Sequence, residues 1–209
     1  MARRGSYAKG RARRAEIADA ALALVVERGH DRVSIADVSE RARVPESTLM
    51  YYFPTRDHLL VAAMASAEQI ELGDPVPQEM IDDPAETLRA TVARDMEEPQ
   101  RMRLFLELQS RASDPDHPAH EFIRYHHSLA HSQLAATLRA RQAIGLAHPQ
   151  VDPERFAFRM AAVWDGLQAR WLVDRNFDLA EAVADSFREL AGEHILQAQA
   201  TLDRLVSEL

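Results

Sequence analysis

The stretch from Ser34 to Arg56, SIADVSERARVPESTLMYYFPTR, constrains the fold of this chain more than any other. It reads as two short helices joined by a tight turn. Ser34 is a suitable N-cap, and Asp37 three residues on approximates a capping box. Ile35 and Val38 face inward, and the first helix ends near Ala42. Pro45 suits the first turn of the second helix and biases Val44 towards an extended backbone. Leu49 and Phe53, four residues apart, share a face and pack beneath the second helix. Pro54 ends that helix. Thr55 is placed to cap a further one, from Arg56 to about Leu72, with Leu59, Leu60, Ala63 and Met64 as its apolar positions.

The same helical period recurs along the whole chain, and alternating β-branched runs with hairpin turns are nearly absent. An all-α fold of about nine helices is therefore predicted. Ahead of the central stretch, a helix runs from about Arg13 to Arg28. Ile17, Ala21, Leu24 and Val25 form its apolar face, and Gly29 stops it. Behind it, Gly73, Pro75, Pro77 and Pro84 mark a break between an N-terminal unit and a C-terminal one. Five helices follow, over about 84–96, 98–112, 117–143, 152–174 and 178–207.

Charge is distributed unevenly. Arg3, Arg4, Lys9, Arg11, Arg13 and Arg14 crowd the first fourteen residues, which hold no acid, while the whole chain carries a formal net charge of -8. That split suggests an arm that meets a polyanion and a body that does not; a basic tail of no consequence is the plain alternative. There is no cysteine, so disulfides and thiolate chemistry are excluded. This fits a cytoplasmic location. No apolar run approaches the ~18 residues needed for a membrane span. No apolar region follows the basic N-terminus, so a secretory signal is not expected. The seven glycines are scattered singly, so no phosphate-cradling loop is expected, and there is no GxSxG elbow. No enzymatic activity, cofactor or metal is assigned.

The central stretch carries the chemistry. A helix-turn-helix needs one helix to brace across a nucleic-acid backbone and a second to reach base edges from its N-terminal half. Glu46, Ser47 and Thr48 occupy that half and are short enough for the helix to sit deep. Serine and threonine hydroxyls bond bases or phosphates, and a glutamate can accept from a cytosine amino group. Tyr51 and Tyr52 project about 100° apart, so one can reach a phosphate while the other packs. Arg56 can donate to a phosphate at the start of its helix.

Residues 13–64 resemble the DNA-binding domain of the TetR family of bacterial transcriptional regulators. The matching pieces are RRAEIADAALALVVERGHDRVSIADVSERARV and STLMYYFPTRDHLLVAAM. Three residues depart from the family's usual pattern: Arg43 stands where the turn has glycine, Met50 where the recognition helix has tyrosine, and Ser39 where the bracing helix has alanine. If Arg43 is left-handed, the strain is about 1–2 kcal/mol. The resemblance implies a homodimeric, ligand-responsive regulator, most simply a repressor released by a small molecule. Residues 1–12 would be a basic flexible arm, 13–58 the helix-turn-helix domain, and 59–209 a helical ligand-binding and dimerisation domain.

On this reading the partners are a palindromic double-stranded DNA operator, a small-molecule effector and a second copy of the chain, with no membrane. Ser34, Tyr51, Tyr52 and Arg56 would hold the DNA backbone. Ser47, Thr48 and either Arg43 or Glu46 would touch bases. The arm from Arg3 to Arg14 would order on DNA and enter a minor groove. The implied ligand pocket lies among the middle helices, with candidates Met102, Phe105, Leu108, Phe122, Tyr125, His126, Met160, Trp164 and Gln168. For each of these, plain core is the competing assignment. The last two predicted helices carry apolar stripes, and the resemblance implies that they form the dimer interface. His127 and His131 have the spacing of a zinc-chelating pair, but His127 also falls on the stripe of Ile123, Ala130, Leu134 and Leu138, which predicts a packed core histidine. Two other readings remain: a helical ligand-carrying bundle, or a protein adaptor, each with an N-terminal hairpin that does not bind DNA.

Overall fold

The computed structural model describes residues 2–67 and 73–208, with side chains from Lys9 onward. Among them there are no strands. There are eleven α-helices: α1 (Ala2–Arg28), α2 (Ile35–Ala42), α3 (Glu46–Tyr52), α4 (Arg56–Ser66), α5 (Gln78–Asp82), α6 (Pro84–Glu97), α7 (Pro99–Arg111), α8 (Ala119–Ala143), α9 (Pro153–Val173), α10 (Leu179–Leu190) and α11 (Glu193–Ser207). A single 3-10 turn, His30–Arg32, joins α1 to α2.

The count exceeds the nine predicted from spacing for two reasons. Helix α5 is five residues long, too short to show a period. The last predicted helix is two, because Gly192 breaks it in a left-handed conformation (φ 72°). A Cβ on Gly192 would lie 2.9 Å from Cβ of His148, so both the backbone angle and the space require glycine there. Helix α1 also begins earlier than the spacing predicts. Alanine and arginine are strong helix formers, and no proline interrupts them. Helix α4 is described to Ser66; its expected end near Leu72 lies outside the described residues.

The chain forms two compact units. The first is built from α1–α4 with α7 and the start of α8. Its core takes Ile17, Ala21, Leu24 and Val25 from α1, Val38 from α2, and Leu49 and Phe53 from α3 and its end. Helix α4 adds Leu59, Leu60 and Ala63, and α7 adds Leu104, Phe105 and Leu108. Helices α2 and α3 have eight and seven residues, below the ~12–15 at which an isolated helix holds in water, so they exist by packing: α2 on α1, α3 on α2, with Val38, Leu49 and Phe53 in the shared core.

The second unit comprises α5, α6, the rest of α8, and α9–α11. Helix α10 packs mainly on α6 and α9. Leu179, Val183 and Phe187 of α10 are fully buried, and Phe187 meets Phe156 of α9 edge-on at 5.1 Å. Arg89 of α6 binds Glu181 of α10 at 2.7 Å. That bond raises the arginine pKa and holds the Glu181 carboxyl below its ordinary range. Arg141 of α8 is buried and donates to the carbonyls of Ile81, Asp82 and Leu146 and to Glu193, tying α5, α8 and the start of α11 together.

Candidate nucleic-acid interface

The interface starts at Ser34, whose extended backbone sets the entry to α2. Its hydroxyl accepts from the Asp37 N–H at 3.2 Å while its own N–H donates to Asp37 Oδ2 at 2.9 Å, so the capping box is complete. The Ser34 hydroxyl also donates to that carboxylate. These bonds, with Arg28 nearby, hold the Asp37 pKa below the ordinary carboxylate value. Ser34 therefore has a structural task whether or not it meets a phosphate.

The turn between α2 and α3 is left-handed at Arg43 (φ 54°, ψ 48°), the only non-glycine residue with positive φ among the described residues. Its backbone N–H donates to Glu40 O at 3.2 Å, and Val44 N–H donates to Ser39 O at 3.1 Å. The Ser39 hydroxyl donates to Val44 O. Serine at position 39 thus satisfies a carbonyl in the tight turn that an alanine would leave to water. The Arg43 guanidinium is exposed and has no ion-pair partner among the described residues.

Helix α3 stands on Leu49 and Phe53, both fully buried. With that face fixed, the opposite one is presented outward: Glu46, Ser47, Met50 and Tyr51 are exposed, Tyr51 to 81% and Met50 to 52%. Thr48 and Tyr52 are half-buried. The two tyrosine rings meet edge-on at 5.3 Å. Tyr52 turns towards α1, where a Cβ built on Gly10 would lie 3.9 Å from its hydroxyl. In the sequence Met50 stands out only as a departure from the family's usual tyrosine. Its place beside Glu46 and Ser47 adds an apolar contact to the outward face, of the kind that meets a thymine methyl. The signal was its i+3 spacing from Ser47 and i+4 spacing from Glu46.

Arg56 is engaged elsewhere than the sequence suggests. Its Nε donates to Val33 O at 2.8 Å and its second guanidinium nitrogen to His30 O. The neighbouring Asp57 lies 3.3 Å from Nε2 of His117, in the turn before α8. Two arginines around the bracing helix are also paired, Arg28 with Asp37 at 3.1 Å and Arg41 with Glu27. The latter pair lowers the Glu27 pKa and raises that of Arg41. Arg14 lies 5.1 Å over the Phe53 ring.

The ligand candidates divide between the units. In the first, Phe105 and Leu108 belong to the core, Met102 is buried, Phe122 is half-buried and Tyr125 is exposed. In the second, Met160 is fully buried, Trp164 and His126 are half-buried, and Gln168 is 7% exposed with no hydrogen-bond partner among the described residues. A cleft of about 550 Å³ in this unit has Glu79, Asp82, Asp83, Glu86, Thr87 and Arg94 in its lining and none of the ligand candidates. His127 is exposed, contrary to the core position its spacing predicts; its stripe residues Leu134 and Leu138 are buried without it. His131 reaches Glu154 at 3.4 Å. No helix among the described residues is long and apolar enough to cross a membrane.

Comparison with known proteins gives consistent matches in both units. Residues 17–63 match the model of the tetR family of bacterial regulatory proteins, and residues 84–195 match that of the BetI-type transcriptional repressor C-terminal domain. The chain is 49% identical over 53 residues to the HTH-type transcriptional repressor KstR of Rhodococcus jostii (strain RHA1), covering 25% of each protein. It is 47% identical over 60 residues to KstR of Mycolicibacterium smegmatis, covering 29% of each. The match thus spans little more than a quarter of these relatives' length. Among solved structures, a TetR transcriptional regulator from Rhodococcus sp. RHA1 superposes with a TM-score of 0.59 at 22% identity, over 86% of this chain and 95% of that one. Thermus thermophilus FadR, solved with lauroyl-CoA, superposes with a TM-score of 0.53 at 18% identity, over 86% and 94%.

Proposed function

Since the chain belongs to the TetR family of bacterial transcriptional regulators, we propose that it is a cytoplasmic homodimeric repressor that α3 seats on an operator and a small molecule releases. The observation that carries this reading is the outward face of α3. Glu46, Ser47, Met50 and Tyr51 are exposed over an anchor of two fully buried residues. A short helix displayed in this way can enter a major groove without unfolding its support. Residues 13–58 are the reading head, 59–209 the ligand-binding and dimerisation body, and 1–12 a basic arm that adds phosphate contacts. Ser47, Thr48, Glu46 and Met50 meet base edges, and Tyr51 and Arg43 meet the backbone.

The second copy is needed for a palindromic site. Two surfaces of the second unit support its place. The outer side of α9 exposes Phe158, Ala162, Gly166 and Val173, and α11 exposes Ile195, Leu202, Leu205 and Val206. Gly166 is the clearest sign. A mid-helix glycine costs ~1 kcal/mol relative to alanine, yet a Cβ there would meet nothing within 4 Å. Nothing among the described residues requires it, whereas a helix of a second copy crossing closely at that point would. For the effector, the Gln168 amide, which has no hydrogen-bond partner among the described residues, lies at i+4 from Trp164 and i+8 from Met160 and so puts polar and apolar chemistry on one helix face.

The test is selection of bound duplexes from a random pool, followed by titration of the winner at several salt concentrations. A dimer that neutralises about 6–10 phosphates should lose ~10³–10⁵-fold in affinity between 50 and 200 mM salt. A flat response, or no enriched sequence, rejects the reading.

A further inference from the structure

We infer that Arg56 is a positioning residue for the DNA-reading helix, not a phosphate contact. The assignment rests on the DNA-binding reading above and says how that head is held. Arg56 opens α4, three residues after Phe53 closes α3. Its Nε–H donates to Val33 O at 2.8 Å, and a second nitrogen donates to His30 O. Both carbonyls belong to the connector that enters α2: His30 starts the 3-10 turn, and Val33 precedes the Ser34 cap.

One planar fork therefore joins the entry of the bracing helix to the exit of the reading helix, across 23 and 26 residues of chain. A guanidinium is rigid, so two bonds to it fix direction as well as distance. The side chain is half-buried where it does this, and turning it outward would leave the Val33 carbonyl without that donor. Asp57, the next residue, holds the same turn of α4 from another side. His117 Nδ1 accepts from the Ala119 N–H at 3.1 Å, which leaves Nε2 to carry the proton facing the Asp57 carboxylate. The start of α4 is thus gripped by the α1–α2 connector and by the turn before α8, and α3 hangs from it through Phe53, Pro54 and Thr55. A lysine cannot reproduce this, because its single ammonium lacks the fork.

The experiment titrates full-length wild type, Arg56→Gln and Arg56→Lys on the selected operator and on an unrelated duplex between 50 and 200 mM salt. Circular dichroism checks that each variant is folded. The expected result is that both variants lose roughly tenfold or more in operator affinity. Their specific-to-unrelated ratio should fall, while the slope of log affinity against log salt stays at the wild-type value. The assignment is overturned if Arg56→Gln lowers the slope by about 1.8 per dimer, one phosphate from each half-site. It is overturned equally if Arg56→Lys binds like wild type, or if neither variant changes affinity. Should Arg56→Gln fail to fold, the lysine variant decides alone, because it keeps the charge and loses only the fork. Wild type that binds no duplex would instead sink the regulator reading itself.

Discussion

Helices α3 and α11 both expose large apolar side chains, yet they are held in opposite ways. Helix α3 has seven residues and rests on Leu49 and Phe53, which are fully buried. Helix α11 has fifteen and buries none. What fixes α11 lies at its first turn, where Glu193 meets the buried Arg141 at 2.9 Å. Along its length Ile195, Ala198, Leu202 and Leu205 recur at alternating spacings of three and four, the seam of a helix that packs against another helix. An anchored short helix can offer its outer face to a polar, grooved partner. A long unanchored one with an apolar seam gains its partner by burying that seam. On the function proposed above, the first is the face for DNA and the second the face for another copy of the chain.

The sharpest break in this comparison is a double substitution on α11. Leu202→Asp with Leu205→Asp puts two carboxylates on the seam without touching the buried core. The expected outcome is a monomer by light scattering, with operator affinity down by ~10²–10⁴-fold because the second half-site is no longer tethered. A variant that stays dimeric would remove α11 from the interface.

Next in size is Leu49→Ala. It deletes one of the two α3 anchors and should cost about 2–5 kcal/mol in denaturant unfolding. Leu202→Ala, measured as a monomer, should stay within about ±0.5 kcal/mol. Equal losses would mean that the two helices are held alike. Smaller again is Met50→Ala on the outward face of α3. If Met50 meets a thymine methyl, the operator should lose about 1–3 kcal/mol at that base pair and relax its preference there. Thermal stability should hardly move. A preference unchanged at every position would take Met50 off the bases.

The local structure of the reading head was legible in the sequence because its signals are short-range. A cap, a proline and an i+4 apolar pair predicted the bounds of α2 and α3 and the burial of Leu49 and Phe53. The direction of a long side chain is not a short-range property. Arg56 follows the right helix end for a phosphate contact, and nothing in the spacing reveals that His30 and Val33 offer it carbonyls more than twenty residues away. Gly192 failed to register for a different reason. The leucine pattern continues across it, and the close approach that leaves no room for a side chain comes from His148, over forty residues earlier. His127 shows the limit of the stripe itself: Ile123 belongs to the core of the first unit while Leu134 and Leu138 are buried in the second, so one helical stripe serves two cores and need not bury each position along it.

The Ser34–Asp37 box tests how far the head depends on one cap. Ser34→Ala should cost about 1 kcal/mol at neutral pH. The Asp37 carboxyl is held below its ordinary value of 3.8, chiefly by the Ser34 hydroxyl and then by the Ser34 N–H and Arg28. A folded pKa below the unfolded one means the box stabilises above the unfolded value and fades as pH falls through the folded one. The stability gap between wild type and Ser34→Ala should therefore be flat near neutrality and close in acid below about pH 4. A gap that widens in acid would contradict the assigned bonds.

The smallest effect, and the one whose sign is most informative, is Arg43→Gly. Arg43 holds φ 54°, a left-handed position that costs a non-glycine residue about 1–2 kcal/mol. Glycine relieves that strain but adds about 0.5–1 kcal/mol of backbone entropy to the unfolded chain. The difference favours the variant by about 0.5–1 kcal/mol, so it should melt slightly higher. Binding should move the other way. The Arg43 guanidinium is exposed and has no ion-pair partner among the described residues. If it meets a phosphate in each half-site, its loss should weaken the operator complex and lower the salt slope by about 1.8 per dimer. A variant that melts higher yet binds more weakly, with a shallower salt dependence, would identify Arg43 as strain retained for contact with DNA. If the variant melts lower, the arginine is stabilising the turn, and the strain argument at this position fails.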